Sequence, residues 1–422
     1  KEELEAHVAR KTWVAAMLPT GRKAIGAKLA FKTKPGPAEV PERKKARLVC
    51  KGFSQTYGID YEETFAPTVS KTTIRAVFSF AAHEDWVIEQ ADVNTAFLYA
   101  PLKEDIYMKL PEGLEYIKGT TCCPDNNLKE EHIKTGRQVV AKLQRAIYGL
   151  KQSPRAWKEE LNRMLAGLEF FPTTCDPGAY LKHEKGQVAG ILLIYVDDIL
   201  IFCKNEEFAQ DFKLNLSRIV DMKTCKQILG MNVRREGSSI YLSQITQIEQ
   251  ILIDLEMENC RPVTTPMTPS SDKLQIPAGR EKEEGNASNS QEKPVQKNTK
   301  EGVSIRRLCQ RELRLYQSTL GALLYISTCT RPDISFAVSV LCRKMQAADT
   351  QDLQALKQLC RYMQGTADWE LSLGTDNSEL TGYSDASYAD DQKEHQWVPV
   401  HIQGWLHKLE KQSSENSSAV HS

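Results

Sequence analysis

Two short apolar runs, Gln187 to Tyr195 and Ile199 to Cys203, are separated only by Val196-Asp197-Asp198. Neither run alternates with polar residues, so they predict two strands buried on both faces and joined by a tight turn. Upstream, Trp86 to Asp92 reads as a further strand that ends on a carboxylate and leads into a helix through Phe97 and Leu98. From Leu308 to Leu373 apolar positions recur at helical spacing, as in Leu320, Leu323, Leu324 and then Ala337, Val338, Val340, Leu341. Arg331-Pro332 predicts a break between the helical pieces. Pro266 to about Thr299 is Ser, Asn, Gln, Lys, Glu and Pro with almost no large apolar residue, which predicts a disordered linker.

A chain of 422 residues exceeds what one core organises, so two or three domains are expected. No apolar run reaches about 18 residues, which predicts no membrane span; the longest, Val188 to Cys203, carries two aspartates in its middle. The opening Lys-Glu-Glu-Leu-Glu is neither a signal nor a transit peptide and has no initiator Met, so the chain is expected to begin inside a longer reading frame. The eleven cysteines form no CxxC pair and no Cys/His spacing suited to zinc. An odd count without a secretory signal fits reduced thiols in an intracellular protein.

Lys and Arg together number 55, as do Asp and Glu, and that balance alone argues against a polyanionic partner. The distribution argues the other way. From Arg22 to Lys51 the bases Arg22, Lys23, Lys28, Lys32, Lys34, Arg43, Lys44, Lys45, Arg47 and Lys51 face only Glu39 and Glu42. Such a segment is either a solvated basic hairpin or a phosphate-binding one.

Asp197 and Asp198 on a turn between apolar strands concentrate charge where desolvation is costly. A divalent cation makes that tolerable, although Tyr195-Val-Asp-Asp198 alone fits an ordinary Asp-rich turn better. Asp92 changes the balance. Two-metal nucleotidyl transfer needs carboxylates from separate strands, holding two Mg²⁺ ions about 4 Å apart. Asp92 and Asp197 can supply them, with Asp198 nearby.

Asp92-Val-Asn-Thr-Ala-Phe-Leu, Tyr148-Gly-Leu-Lys-Gln-Ser-Pro-Arg-Ala-Trp157 and Tyr195-Val-Asp-Asp198 occur in the order and at the distances seen in copia-type reverse transcriptases. Lys45-Ala-Arg-Leu-Val-Cys-Lys-Gly-Phe-Ser-Gln55 and Gly58-Ile-Asp-Tyr-Glu-Glu-Thr-Phe-Ala-Pro67 precede them, and Leu229-Gly230 and Leu242-Ser-Gln244 follow. The chain thus resembles the reverse-transcriptase region of a copia-type retrotransposon Pol polyprotein. That resemblance implies an α+β right-hand polymerase over residues 13–262, with basic fingers, an antiparallel palm sheet and a helical thumb from about Leu229 to Cys260. A disordered linker would occupy 263–307 and a helical connection 308–376, with Tyr316 to Tyr325 and Thr330 to Ile334 matching the family.

The resemblance implies a catalytic triad of Asp92, Asp197 and Asp198, with the carbonyl of Val93 as a further ligand to two Mg²⁺ ions, or Mn²⁺ in their place. Phe97 matches an aromatic gate that would exclude a ribonucleotide 2′-hydroxyl, the other reading being a helix core residue. Arg47 and either Lys32 or Lys34 match positions that would clamp the incoming triphosphate. Gln152 lies in the block matching the template-positioning and nucleotide-pocket segment. Tyr195 would either touch the primer end or serve in aromatic packing. Partners would be an RNA or DNA template with its primer, deoxynucleoside triphosphates, and protease and integrase domains of a parent polyprotein. A cytoplasmic virus-like particle or the nucleus would be the location. Leu29 stands where the family has Trp, which would weaken packing. Residues 112–137, including Cys122-Cys123, match nothing and read as a surface loop.

Leu380-Thr-Gly-Tyr-Ser-Asp385-Ala-Ser resembles the first strand of an RNase H domain, with Asp385 as its first metal ligand. The likeness ends at Asp391, so 377–391 reads as a truncated RNase H-like start, 392–422 as a frameshifted tail and Asp385 as a relic. With suitable codons for Gln392 to Lys411, moving one base forward yields RRSTSGYLFIFRGGCISWRS, close to the family's continuation. Trp397 and Trp405 have one codon each, and both become Gly where the family has Gly. Genomic DNA is expected to carry this continuation in the shifted frame; sequencing that finds no such frame overturns the frameshift.

Overall fold

The computed structural model describes residues 1–34, 43–117, 120–224, 227–268 and 305–374. The chain divides into two compact units, Lys1–Ile228 and Leu229–Ser422. The first begins with helix α1 (Glu2–Ala9), strand β1 (Trp13–Met17) and the paired strands β2 (Ala27–Lys34) and β3 (Arg43–Cys50). Helix α2 (Lys71–His83) follows, with Ser70 accepting from the Thr73 amide at its N-terminus, and then β4 (Val87–Val93). Strands β5 (Tyr107–Lys109) and β6 (Val139–Leu143) form a three-stranded sheet with β1. Helix α3 (Asn126–Thr135) lies between them.

The rest of the unit is α4 (Ser153–Ala166), β7 (Phe171–Pro172), β8 (Ala179–Glu184), β9 (Gln187–Tyr195), β10 (Asp198–Cys203), α5 (Glu206–Ser217), β11 (Met222–Thr224) and the short β12 (Gln227–Ile228). Six strands form an antiparallel sheet in the order β11-β4-β10-β9-β8-β7. Both faces are covered, which is why β9 and β10 are continuously apolar. Ile199, Ile201 and Cys203 pack with Trp157, Leu161 and Leu165 of α4 and Phe212 and Leu216 of α5. Phe202, pointing the other way, meets Phe78 of α2 edge-on at 5.2 Å between ring centroids. Each such fully buried side chain stabilises the fold by about 1.5–3 kcal/mol.

The second unit contains β13 (Met231–Glu236), β14 (Ser239–Ser243), α6 (Ile245–Asp254), α7 (Gln310–Cys329), α8 (Ser335–Cys342), α9 (Thr350–Gly365) and β15 (Leu371–Leu373). Strand β14 pairs with β13 and β15. Ile248, Ile251 and Leu252 of α6 share one core with Tyr316, Leu320, Leu323, Leu356 and Leu359. Thus 229–260 and 308–373 share one core, and the compact units part at Ile228–Leu229. Residues 231–243 are a hairpin and not helix, because Val233, Ile240 and Leu242 fit a period of two around Gly237 at φ 58°. Helix α7 stops at Cys329, before Arg331-Pro332.

The segment read as a surface loop is more ordered than its composition suggested. Asp125 caps α3 by accepting from the Leu128 amide, and Gly136 ends it in the left-handed conformation. Cys122 is fully buried, with the Trp13 indole donating to its carbonyl at 2.9 Å. No helix of the described residues is long and apolar enough to cross a membrane. Segments 269–304 and 375–422, with most of the linker, the RNase H-like start and Asp385, lie outside the described residues.

Gly149, at φ +91°, marks a close backbone approach to β3: a Cβ there would sit 2.1 Å from the Cys50 carbonyl oxygen and 2.7 Å from Val49 Cγ1. Gly149→Ala is expected to destabilise the first unit by about 3 kcal/mol. Gly136→Ala, with φ +69° but open space around it, should cost about 1 kcal/mol. Urea denaturation of both variants measures the difference.

Candidate active site

The register of three strands builds the site. Asp92 on β4 lies opposite Asp198 on β10 and, on its other side, opposite Lys223 on β11. Residues directly opposite in antiparallel strands point to the same face. That face is the one on which α2 packs, since Ile199 and Ile201 point the other way into α4 and α5. Asp197 sits in the turn beyond Tyr195 and Val196, and its carbonyl accepts from the Val93 amide at 2.9 Å. Val196 has φ 60°, a strained value for a β-branched residue. The Trp157 indole holds that turn by donating to the Val196 carbonyl at 2.7 Å.

The three carboxylates disturb one another. Burial raises the Asp197 pKa, and the Asp92 carboxylate adds to the rise while Arg47 and Lys223 oppose it. Burial likewise lifts Asp198, to about 6, with further upward pressure from Asp197 and Asp92 and a partial offset from Gln90. Gln90 Nε2 donates to Asp198 Oδ1 at 3.2 Å, while its own buried Oε1 has no partner. Lys223 Nζ stands 3.0 Å from Asp92 Oδ1.

Arg47 approaches from β3, its guanidinium 4.6 Å from the Tyr148 ring centroid. Phe97 meets the same ring edge-on at 4.8 Å. Burial raises the Tyr148 pKa, with Asp197 and Asp92 adding to the effect and Arg47 opposing it. Arg47, Phe97, Tyr148 and the aspartates therefore form one cluster. The pairings Lys28–Val49, Ala30–Arg47 and Lys32–Lys45 put the Lys28, Lys32, Lys45 and Arg47 side chains on one face of the β2–β3 hairpin. Lys34 ends β2 opposite Arg43, and its side chain lies outside the described residues.

Gln152 is held by internal hydrogen bonds. It is buried, donates to the Asp60 carbonyl at 2.7 Å and accepts from Gln55 at 2.9 Å. Its amide is thus spent on internal bonds. Tyr195 is half-buried, with the Lys71 ammonium 4.7 Å from its ring centroid. Val93 buries its side chain in the core. Sequence reasoning missed Lys223 and gave Tyr148 no role; only the β4–β11 register and the ring contacts bring them in.

The donor set at the carboxylates is all oxygen, as hard cations require. Among the described residues no group of three or more His, Cys, Asp or Glu side chains is arranged to hold a metal ion.

The description "Reverse transcriptase (RNA-dependent DNA polymerase)" belongs to the family model that matches residues 10–269, and the chain is a member of that family. The retrovirus-related Pol polyprotein from transposon TNT 1-94 of Nicotiana tabacum is 35% identical over 93% of this chain and 27% of its own length. That from transposon RE1 of Arabidopsis thaliana is 33% identical over 93% of this chain and 24% of its own. The chain thus spans about a quarter of the length of these copia-type relatives.

The pKa of Asp198 sets a pH signature. Its folded value of about 6 exceeds the ordinary value of about 4, so the folded chain holds the proton more tightly. This contribution to stability is fully present below about pH 4 and is lost as pH rises through 6. Without divalent cation, Asp198→Asn should stabilise the chain by about 1–2 kcal/mol at pH 7 and leave it unchanged at pH 4. Denaturation midpoints at the two pH values check this.

Proposed function

We propose that the chain is an RNA-directed DNA polymerase, extending a primer 3′-hydroxyl with deoxynucleoside triphosphates along an RNA or DNA template. The observation that carries this is the convergence of Asp92, Asp197 and Asp198, from two strands and their turn, within the field of Arg47. The six-stranded sheet with α2, α4 and α5 corresponds to a palm, and the β2–β3 hairpin to fingers. The thumb begins at Leu229, and α7 to α9 form the connection.

Asp92 and Asp197 would hold two Mg²⁺ ions, with Asp198 and the Val93 carbonyl close by. Bound metal would activate the hydroxyl nucleophile and neutralise the triphosphate. The chain's own groups do the rest. Arg47 would fork onto phosphate oxygens, with Lys32 or Lys34 adding a point charge. Lys32 lies directly opposite Lys45, which sets two ammonium-bearing side chains on the same face of the hairpin. Phe97, held edge-on by Tyr148, would press against the sugar and exclude a 2′-hydroxyl. The buried Gln152 would act by fixing the segment after Tyr148 rather than by touching substrate. Lys223 would have to leave Asp92, or shift, when a cation arrives.

A second reading has support in the sequence after Asp391: a decayed element whose polymerase is inactive and at most binds nucleic acid. On either reading the frameshifted tail would leave the RNase H-like start without activity. Protease and integrase partners, and a virus-like particle or the nucleus as location, go with the parent polyprotein.

Purified chain is expected to extend a DNA primer on an RNA template with Mg²⁺. Asp197→Asn should lower the rate on the order of 100-fold or more, and Phe97→Val should raise ribonucleotide incorporation relative to deoxynucleotide by roughly 10-fold. No extension above the Asp197→Asn background would leave only the inactive reading.

A further inference from the structure

Helix α1 lies before the residues matched by the family model, and the proposed chemistry does not use it. Its contacts nevertheless reach both sides of the site. Glu3 Oε1 accepts from the Leu48 amide at 2.8 Å, one residue from Arg47, and its charge also attracts Arg47. Leu48 lies opposite Leu29 in the β2–β3 ladder, and this amide is turned out of the hairpin toward α1. Two residues on, the Cys50 amide is taken by the Tyr148 carbonyl at 2.8 Å. The outer edge of β3 is therefore tied to α1 at Leu48 and to Tyr148 at Cys50, and the Arg47 side chain lies over the Tyr148 ring.

Arg10, at the other end of the helix, makes the second attachment. Its guanidinium donates to the Tyr99 hydroxyl and to Asp221, and lies 4.0 Å from the Tyr99 ring centroid. The Asp221 amide donates to the same hydroxyl at 2.6 Å, and the Asp221 carbonyl accepts from the Asn94 amide at 2.8 Å. Asn94 is two residues from Asp92, and Asp221 is two from Lys223. The Arg10–Asp221 ion pair is mostly exposed and contributes little by itself. The fully buried part is Tyr99, 5% exposed, on which both groups converge. The middle of α1 is fixed by His7, buried against Trp13 with its Nδ1 3.1 Å from Thr12 Oγ1, and by Leu4 in the core.

We propose that α1 with Arg10 is a positioning brace: it sets the distance between Arg47 and Asp92, so that Glu3 and Arg10 act through those two residues on binding of the incoming triphosphate. This rests on the polymerase reading, in which Arg47 grips phosphate and Asp92 holds metal. Glu3 is a positioning residue and touches no substrate.

The test uses the full chain in two arms. In hydrogen exchange, Glu3→Ala should speed exchange in 43–50, and Arg10→Ala in 94–100 and 221–224, with 187–203 unchanged in both. In primer extension, Glu3→Ala should raise KM for the deoxynucleotide roughly 10-fold with kcat within about twofold. Glu3→Gln, which keeps an oxygen for the Leu48 amide, should stay closer to wild type. In an Arg47→Ala background, Glu3→Ala should add nothing; a helix that merely stabilises the fold would lower kcat in both backgrounds. Unchanged exchange in 43–50 and 221–224 overturns the brace whether or not the chain polymerises. A wild type that extends primers while Glu3→Ala leaves KM unmoved overturns the positioning role and leaves the polymerase standing. If the wild type extends nothing, the polymerase reading fails and the exchange arm alone decides the mechanical link.

Discussion

Like charges pressed together by strand pairing are the constraint on which the first unit turns. The β4–β10 register sets Asp92 against Asp198, and the tight turn adds Asp197. Backbone hydrogen bonds in the middle of a six-stranded sheet, buried on both faces, hold these carboxylates where water alone would let them separate. Repulsion shows as raised pKa values at Asp197 and Asp198. Lys223, Gln90 and Arg47 each offset part of it, from β11, from β4 and from the hairpin. A rigid scaffold with a repulsive centre is preorganised for positive charge, because little has to move when the charge arrives.

The segment from Tyr148 to Trp157 connects this centre to the rest of the unit. Tyr148 contacts Arg47 and Phe97 through its ring and Cys50 through its carbonyl. Gly149 lets the backbone pass against Cys50, and Gly52 fits equally closely against Gly149. Lys151 and Gln152 bind the 55–61 loop through Gln55, Tyr61 and Asp60. Trp157 then supports the strained Val196. One short stretch thus fixes the basic hairpin, the gate candidate and the carboxylate turn together.

Much of this was legible in the sequence where local pattern and burial agree. The unbroken apolar runs flanking Val196-Asp197-Asp198 announce a two-sided buried hairpin, and the helical spacing after Leu308 announces α7 to α9. Pairing partners were not legible, since nothing local says that β11 lies beside β4; Lys223 therefore went unnoticed. The bonds of Gln152 to Gln55 and Asp60 were not legible, since they depend on a loop some ninety residues away in sequence. Residues 112–137 misled through their polarity: α3 buries no side chain, so it carries no apolar stripe, and only its Asp125 and Gly136 ends mark it. The core shared by α6, α7 and α9 was not legible either, since it is set by packing between segments far apart in sequence.

The crowding around Gly149 bears on how such a gene would decay across a genome. A mobile element leaves many copies that drift without selection, and each is commonly judged by whether its aspartates survive. Yet the backbone of Gly149 has no room for a side chain, and one methyl there displaces the strand that carries Arg47. Copies silenced at such a position would keep every acidic residue intact. A census of working elements built on the acidic motif alone would therefore count too many.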